Sequence, residues 1–493
     1  MASSYRRILA TALGGALVSG WGVLFSRRIS DLEVLEALEA SGVPRGWDDQ
    51  DGLLQYAREA SGHGEGPPPQ GVLFPRNTQE VQRLLSSCNQ HRVPVIPFGM
   101  GTSLEGHTLA VQGGVVVDMS QMNRVLEIRP EDLTAVVEPG VGWMELNEAC
   151  REHELFLGVD PAPGACIGGM CATSCSGTNA VRYGTMKEQV LALEVVLADG
   201  TIVNTGSRAF KSSAGYDLTR LFIGSQGTLG IITKVTVRLR RVPEYIAISR
   251  VGFPSVKDAC QAVIEVLQNG IQLGAIEMLD DVMCKCVNEY SNVGLDESPT
   301  IFFKFTGQQD HVESDIKRVQ AITSKYTTQK YVWSVSKEER ERIWESRKHA
   351  LWAAKAYGNA RLNGSRRKEM MTTDVCVPIS QMATWIEQTK ADVSRSTLIA
   401  PIVGHVGDGN FHVCIMFDPE DPAEVEEANR LNRNMVLRGF EMGGTCTGEH
   451  GVGIGKKKYL VIEKGENAVN LMRTLKLALD PYNILNPGKI FDL

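Results

Sequence analysis

Glycine restricts this chain more than any other residue, because it comes in clusters. Of 493 residues, 49 are glycine, more than average usage of ~7% would give. Near the C-terminus it interrupts Gly404-His405-Val406-Gly407-Asp408-Gly409-Asn410-Phe411-His412. His405 and His412 have a spacing that would stack them on one helix face, but Gly-Asp-Gly-Asn between them argues against helix. The run predicts two short extended pieces joined by a tight turn, with both rings converging. Asp408 then sits in the turn, where an aspartate ordinarily bonds its own backbone.

Further glycine segments lie in the first half. Pro97-Phe98-Gly99-Met100-Gly101-Thr102-Ser103-Leu104-Glu105-Gly106-His107 follows an extended piece, and its amides can cradle phosphate oxygens. It is not a Rossmann fingerprint, whose third glycine would fall at Leu104. It is not a P-loop, because no Gly-Lys-Ser/Thr ends it. Gly164 to Gly169, Ser176-Gly177-Thr178 and Gly224 to Gly230 add three more glycine walls. Glycine lets backbone approach a ligand closely, and several such walls in one domain suit a large extended cofactor such as FAD.

The second C-terminal cluster is Gly444-Thr445-Cys446-Thr447-Gly448-Glu449-His450-Gly451-Val452-Gly453. Two imidazoles and one carboxylate make a divalent-metal site that keeps coordination positions open. A further histidine is then spare to act as a base. In extended backbone, neighbours point opposite ways, so one of Glu449 and His450 can ligate while the other faces something else, if the local backbone bends suitably around Gly448 and Gly451.

The rest of the chain reads as a folded protein with ample core. A strand at Val72 to Phe74, a helix from Asn77 or Thr78 to about Gln90, and strands near Val93 to Pro97 and Val115 to Asp118 predict a βαβ opening. A helix follows near Trp143 to Arg151, and Asp160 to Gly184 reads as a long irregular stretch. Asp199-Gly200 between apolar runs predicts a hairpin, and Ile231 to Leu239 alternates as a strand. Trp344 to Trp352 reads as one helix with both tryptophans in the core, and Arg361 to Lys368 as a solvated basic loop. A helix near Ala468 to Leu479 closes the chain. The formal net charge of −7 and the lack of a basic stripe disfavour nucleic acid as a partner. Eleven scattered cysteines read as free buried thiols of a reducing compartment. Four arginines precede the first acid, Asp31, and Ile8 to Phe25 is 18 uncharged residues. That composition fits a mitochondrial presequence or an uncleaved inner-membrane anchor.

Several strings together resemble the FAD-binding type 4 oxidoreductases, and among them the cytochrome-linked branch acting on D-lactate. They are Ile96 to Gly99, Leu104 to Thr108, Ala180 to Met186, Gly227 to Gly230, Gly404 to His412 and Gly444 to Gly453. The resemblance implies an α+β chain: a PCMH-type two-subdomain FAD-binding module, a ferredoxin-like α+β cap and a C-terminal helical segment. The boundaries expected are a targeting segment or anchor over 1–30, a helical lead-in over 31–66, the FAD module over 67–244, the substrate cap over 245–440, and 441–493 returning to the flavin.

The resemblance also implies site residues. FAD, bound non-covalently, would meet Pro97, Gly99, Gly101, Thr102, Ser103, Leu104, Gly106, His107, Asp160, Pro161, Gly168, Gly177, Gly184, Gly227, Gly230, Ile232 and Asn486. The metal, Zn²⁺ or Mn²⁺, maps to His405, His412 and Glu449. The base maps to His450 and the substrate-carboxylate clamp to Arg347. The reaction implied is oxidation of D-lactate to pyruvate, by metal-assisted proton abstraction and hydride transfer to flavin. Electrons would pass to cytochrome c or another carrier, in the mitochondrial matrix or at the inner membrane. Relatives acting on D-2-hydroxyglutarate carry a lysine where Thr372 and Thr373 stand here, which favours a monocarboxylate. Glycolate and D-2-hydroxyglutarate remain open as substrates, and a flavin- or metal-binding module without activity is the alternative outside enzymes.

Overall fold

The computed structural model describes residues 30–46, 50–59, 66–361 and 369–493. The expected targeting or anchor segment, and the basic loop beyond Arg361, lie outside them. Among the described residues, no helix is long and apolar enough to cross a membrane.

Three larger sheets organise the α+β chain, beside a two-stranded ribbon of Leu155–Phe156 and Arg240–Arg241. The first is parallel: β1 (Gly71–Leu73), β2 (Val95–Phe98) and β3 (Val115–Asp118), in the order β1-β3-β2. The predicted βαβ opening is present, with the later strand inserted between the first two. Its helix, Thr78–His91, begins where Asn77 accepts a hydrogen bond from the Glu80 amide at 3.0 Å, satisfying one of the amides a helix start leaves free. Val81, Leu84, Leu85 and Cys88 bury one face, at helical spacing.

The second sheet is antiparallel. It comprises β4 (Val125–Arg129), β5 (Thr134–Val137), β6 (Val190–Val196), β7 (Ile202–Asn204) and β8 (Ile231–Arg238), ordered β4-β5-β8-β6-β7. The Asp199-Gly200 turn joins β6 to β7, with Gly200 at φ +89°. The stretch from Asp160 to Gly184 is less irregular than its composition predicts. It contains helices Ile167–Thr173 and Ala180–Tyr183. A Cβ on Gly168 would lie 2.4 Å from Pro139, so this glycine serves close helix packing rather than a flexible loop.

The third sheet has eight strands. They are β9 (Tyr245–Gly252), β10 (Ala275–Leu279), β11 (Thr300–Gly307), β12 (Val332–Ser334), β13 (Glu369–Thr372), β14 (Val375–Cys376), β15 (Ile402–His405) and β16 (Asn410–Phe417). The order is β12-β9-β11-β10-β15-β16-β13, with β14 also on β16, and every pairing is antiparallel. One face packs on helices Val256–Gln268, Gln309–Thr323, Met382–Val393 and Pro422–Glu441. There Trp385 stacks on Phe411 at 5.7 Å and donates from Nε1 to the Met435 carbonyl. Burial of such side chains contributes ~1.5–3 kcal/mol each.

The other face carries Ala275, Leu279, Val403 and Cys414 against helices Asp281–Ser291, Lys337–Lys348 and Ala350–Ala360. Alternation along a strand puts Glu277, His405 and His412 on this same face. The stretch predicted as one aromatic helix is two, broken at His349. Trp344 is buried as expected, but Trp352 is 59% exposed, because the break removes the periodicity that would have kept both on one face.

Candidate active site

The hairpin β15–β16 does what its glycines require. Val403 pairs with His412 and His405 with Asn410 across the strands, and Gly409 turns at φ +84°. The rings of His405 and His412 meet edge to face with centroids 5.4 Å apart. Each ring is held from behind through Nδ1. His405 Nδ1 lies 2.8 Å from Glu277 Oε1, and His412 Nδ1 lies 3.1 Å from the Thr373 carbonyl. Both Nδ1 atoms are therefore donors, so a neutral ring at either position carries its lone pair on Nε2, while a protonated ring donates from there. The two Nε2 atoms converge on one oxygen, Glu449 Oε1, at 3.3 and 3.1 Å.

Glu449 and His450 do not diverge as adjacent residues of a strand would. The His450 ring stacks on His412 with centroids 5.0 Å apart and 12° between planes. The segment is a bent loop, with Gly451 at φ +80°, and Asp374 gathers both backbone amides. Asp374 Oδ2 accepts from Glu449 N at 3.0 Å and from His450 N at 2.8 Å. The sequence reading assigned Asp374 no role.

The charges follow from this packing. Burial opposes a charge on His405, but Glu277 and Glu449 overcome it and raise its pKa well above an ordinary histidine. Burial likewise opposes the Glu449 carboxylate, yet His405 and His412 hold it well below the usual range. A cation between two buried carboxylates is what this donor set stabilises. His450 differs: burial outweighs Asp374 and lowers its pKa, and its Nδ1 has no hydrogen-bond partner among the described residues. Asp408 sits in the turn as expected, and burial first, then Glu277 and Glu449, push it up to about 6.

Arg347 reaches the same cluster from helix Lys337–Lys348. Its Nε donates to Glu277 Oε2 at 2.6 Å, so it is neither a surface ion pair nor a wholly free clamp. One buried carboxylate, Glu277, thus holds both Arg347 and His405. A lone glutamate within the otherwise apolar strand β10 was the signal that could have found it.

Beside this cluster lies a partly open cleft. Of the residues expected around a cofactor, Pro97, Gly99, Ser103, His107, Gly168, Gly227, Gly230, Ile232 and Asn486 line it. Gly101, Thr102, Leu104, Gly106, Asp160, Pro161, Gly177 and Gly184 do not. Several of these make close local contacts. Asp160 accepts from Thr178 Oγ1 at 2.6 Å and Asn179 N at 2.8 Å, and a Cβ on Gly177 would strike it. Gly184 abuts Glu188 at a helix start, and Gly106 abuts Ile454. The sequence reading missed Phe98, Met119, Pro139, Cys166 and Thr173, which also line the cleft.

The cleft suits a bulky polar cofactor. His107 is buried, with both ring nitrogens unpartnered among the described residues, an arrangement that costs free energy until a ligand satisfies it. Burial lowers its pKa to about 3, so the ring is neutral. Asn486 bridges the carbonyls of His107 and Gln226 at 3.1 and 2.8 Å, fastening the C-terminal segment to the cleft wall.

Comparison with known proteins places this geometry in context. The FAD binding domain family matches residues 69–206, and the C-terminal domain of the FAD linked oxidases matches residues 242–490. The chain is 48% identical over 422 residues to the mitochondrial D-lactate dehydrogenase (cytochrome) of Arabidopsis thaliana, covering 86% of this chain and 73% of that protein. It is 45% identical over 442 residues to the probable mitochondrial D-lactate dehydrogenase of Danio rerio, covering 89% and 87%. In fold it is similar to the crystal structure of p-cresol methylhydroxylase with substrate bound. The TM-score is 0.73 at 18% identity, over 94% of this chain and 98% of that one.

Proposed function

Since the chain belongs to the FAD linked oxidase family, we propose that it is an FAD-dependent D-2-hydroxy acid dehydrogenase that oxidises D-lactate to pyruvate. Its electrons go to cytochrome c or another carrier, in mitochondria. The observation that carries this reading is the convergence of His405 Nε2 and His412 Nε2 on Glu449, with His450 neutral beside them.

His405, His412 and Glu449 would hold a divalent ion, Zn²⁺ or Mn²⁺. Their Nε2 atoms already aim at one point, and the positive charge that Glu277 and Glu449 now favour on His405 is one a metal would supply in place of the Nε2 proton. Such an ion, when bound, polarises the substrate's hydroxyl oxygen. Bound FAD supplies the two-electron acceptor, in the cleft where His107 lacks partners. The remaining work belongs to side chains. His450, uncharged near pH 7, takes the hydroxyl proton. The Nη groups of Arg347 make no hydrogen bond among the described residues and meet the substrate carboxylate. Glu277 aligns that clamp with the metal-facing histidine, and burial of the cluster keeps water out.

A small monocarboxylate fits best. Thr373 is spent on the hairpin: its carbonyl takes His412 Nδ1 and its hydroxyl takes Val413 N at 3.0 Å. No lysine or arginine stands at 369–374 for a second carboxylate, so glycolate is the stronger alternative and D-2-hydroxyglutarate the weaker. Metal removal tests the reading. Stripping the protein with a chelator should abolish D-lactate-dependent flavin reduction, and Zn²⁺ or Mn²⁺ should restore it. Full activity with no metal bound would overturn the metal role.

A further inference from the structure

We infer that Asp374 is a positioning residue for this reaction, fixing the ligand Glu449 and the base His450 as one unit. The inference rests on the roles proposed above for those two residues. Asp374 is fully buried, and its carboxylate is crowded with donors. Oδ2 accepts from Thr447 Oγ1 at 2.7 Å, His450 N at 2.8 Å, Glu449 N at 3.0 Å and Lys456 Nζ at 3.4 Å. Oδ1 accepts from Asn410 Nδ2 at 2.9 Å, and the Asp374 carbonyl takes Gly448 N at 2.9 Å.

These bonds do for loop 447–450 what a strand partner would otherwise do. Two consecutive amides pointing at one anion bend the backbone, as in anion-binding nests. The bend is why Glu449 and His450 both reach His412 instead of pointing apart. Asn410, at the start of the histidine strand β16, shares the same carboxylate. Asp374 therefore sets the loop against the hairpin.

The carboxylate also registers this unit to the cofactor cleft. Lys456 bridges Asp374 to Glu105 Oε1 at 2.7 Å, and the Glu105 carbonyl accepts Ile454 N at 2.7 Å. Glu105 lies in the glycine loop whose Gly99, Ser103 and His107 line the cleft.

Asp374 lies with His412, Glu449 and His450 in a group whose potential ligand atoms all fall within 4.8 Å of one another, which makes direct ligation the competing role. Its oxygens are already engaged. A metal bond from Oδ2 would strip buried amides of their acceptor, at a cost that disfavours it.

The test is Asp374→Asn in the full chain loaded with FAD and Zn²⁺. The amide keeps the shape but turns a donor toward donors. We expect wild-type FAD stoichiometry by absorbance and a KM for D-lactate within a few-fold. Flavin reduction should fall ~10²–10³-fold, as when a base is displaced, with an increased solvent deuterium isotope effect as O–H transfer becomes limiting. Two results would overturn the inference. One is a wild-type rate and isotope effect. The other is joint loss of FAD and thermal stability with an unchanged rate per loaded enzyme. Zinc content that falls to zero while the isotope effect stays at the wild-type value would point to direct ligation and overturn it too. If Asp374→Asn does not fold, Thr447→Val removes one donor to the same oxygen and should raise the isotope effect, and an unchanged value refutes the role. Wild-type protein is measured alongside: failure of D-lactate to reduce its flavin would sink the functional reading itself, separately from this one.

Discussion

Glu277→Gln probes the joint between substrate clamp and metal ligand. Glu277 is fully buried and accepts two hydrogen bonds, from His405 Nδ1 at 2.8 Å and Arg347 Nε at 2.6 Å. A glutamine offers one acceptor and one donor, so it satisfies only one partner. If its oxygen keeps Arg347, its amide faces His405 Nδ1 and drives the ring proton to Nε2, the atom that must ligate. If its oxygen keeps His405, two donors collide at Arg347, which is only 13% exposed. Loss of the hydrogen bond behind a ligating histidine typically costs ~10–100-fold in metal affinity, or about 1.4–2.7 kcal/mol. A Zn²⁺ competition titration against a chromophoric chelator reads this directly, with flavin absorbance as the control for folding. The expected result is a Kd for Zn²⁺ raised by ~10–100-fold with FAD retained. Unchanged Zn²⁺ affinity would refute the claim that Glu277 sets the His405 tautomer.

Three other outcomes follow from the same geometry. His450→Ala should leave FAD bound while flavin reduction by D-lactate drops ~10²–10⁴-fold in stopped flow; retained rapid reduction would remove His450 from the role of base. His107 carries a pH signature. Its folded pKa is depressed to about 3, so below about 6.5 the unfolded chain binds a proton that the folded chain refuses, and stability falls with acid by up to ~1.4 kcal/mol per pH unit. Denaturant unfolding of FAD-free protein at pH 7 and pH 5 should show the wild type losing up to ~2 kcal/mol more than His107→Gln, and equal losses would contradict it. Finally, turnover with D-lactate should reduce cytochrome c with little peroxide, whereas stoichiometric peroxide in air would identify an oxidase.

Much of the site was legible because its residues carry strong local signatures. Gly407-Asp408-Gly409-Asn410 forbids helix, so His405 and His412 had to meet across a turn, and they do. The four glycine walls of the first half likewise foretold a cleft for a large cofactor. Long-range partners were not legible. Glu277 precedes His405 by 128 residues, and only the β10–β15 pairing brings them together. Asp374 overrides the alternation expected at Glu449 and His450 through tertiary hydrogen bonds that no local pattern encodes. The helix break at His349 was hidden by residues that are all acceptable in helix. Some glycines in the cofactor strings, such as Gly177 and Gly184, also pack closely against neighbouring residues, and sequence does not distinguish a glycine facing a ligand from one facing a neighbouring side chain.

The most direct measurement is anaerobic mixing of the FAD- and metal-loaded protein with D-lactate, L-lactate, glycolate and D-2-hydroxyglutarate, following flavin absorbance near ~450 nm. The account predicts rapid bleaching by D-lactate, slower bleaching by glycolate and none by L-lactate. Flavin that stays oxidised with every one of these acids would contradict it.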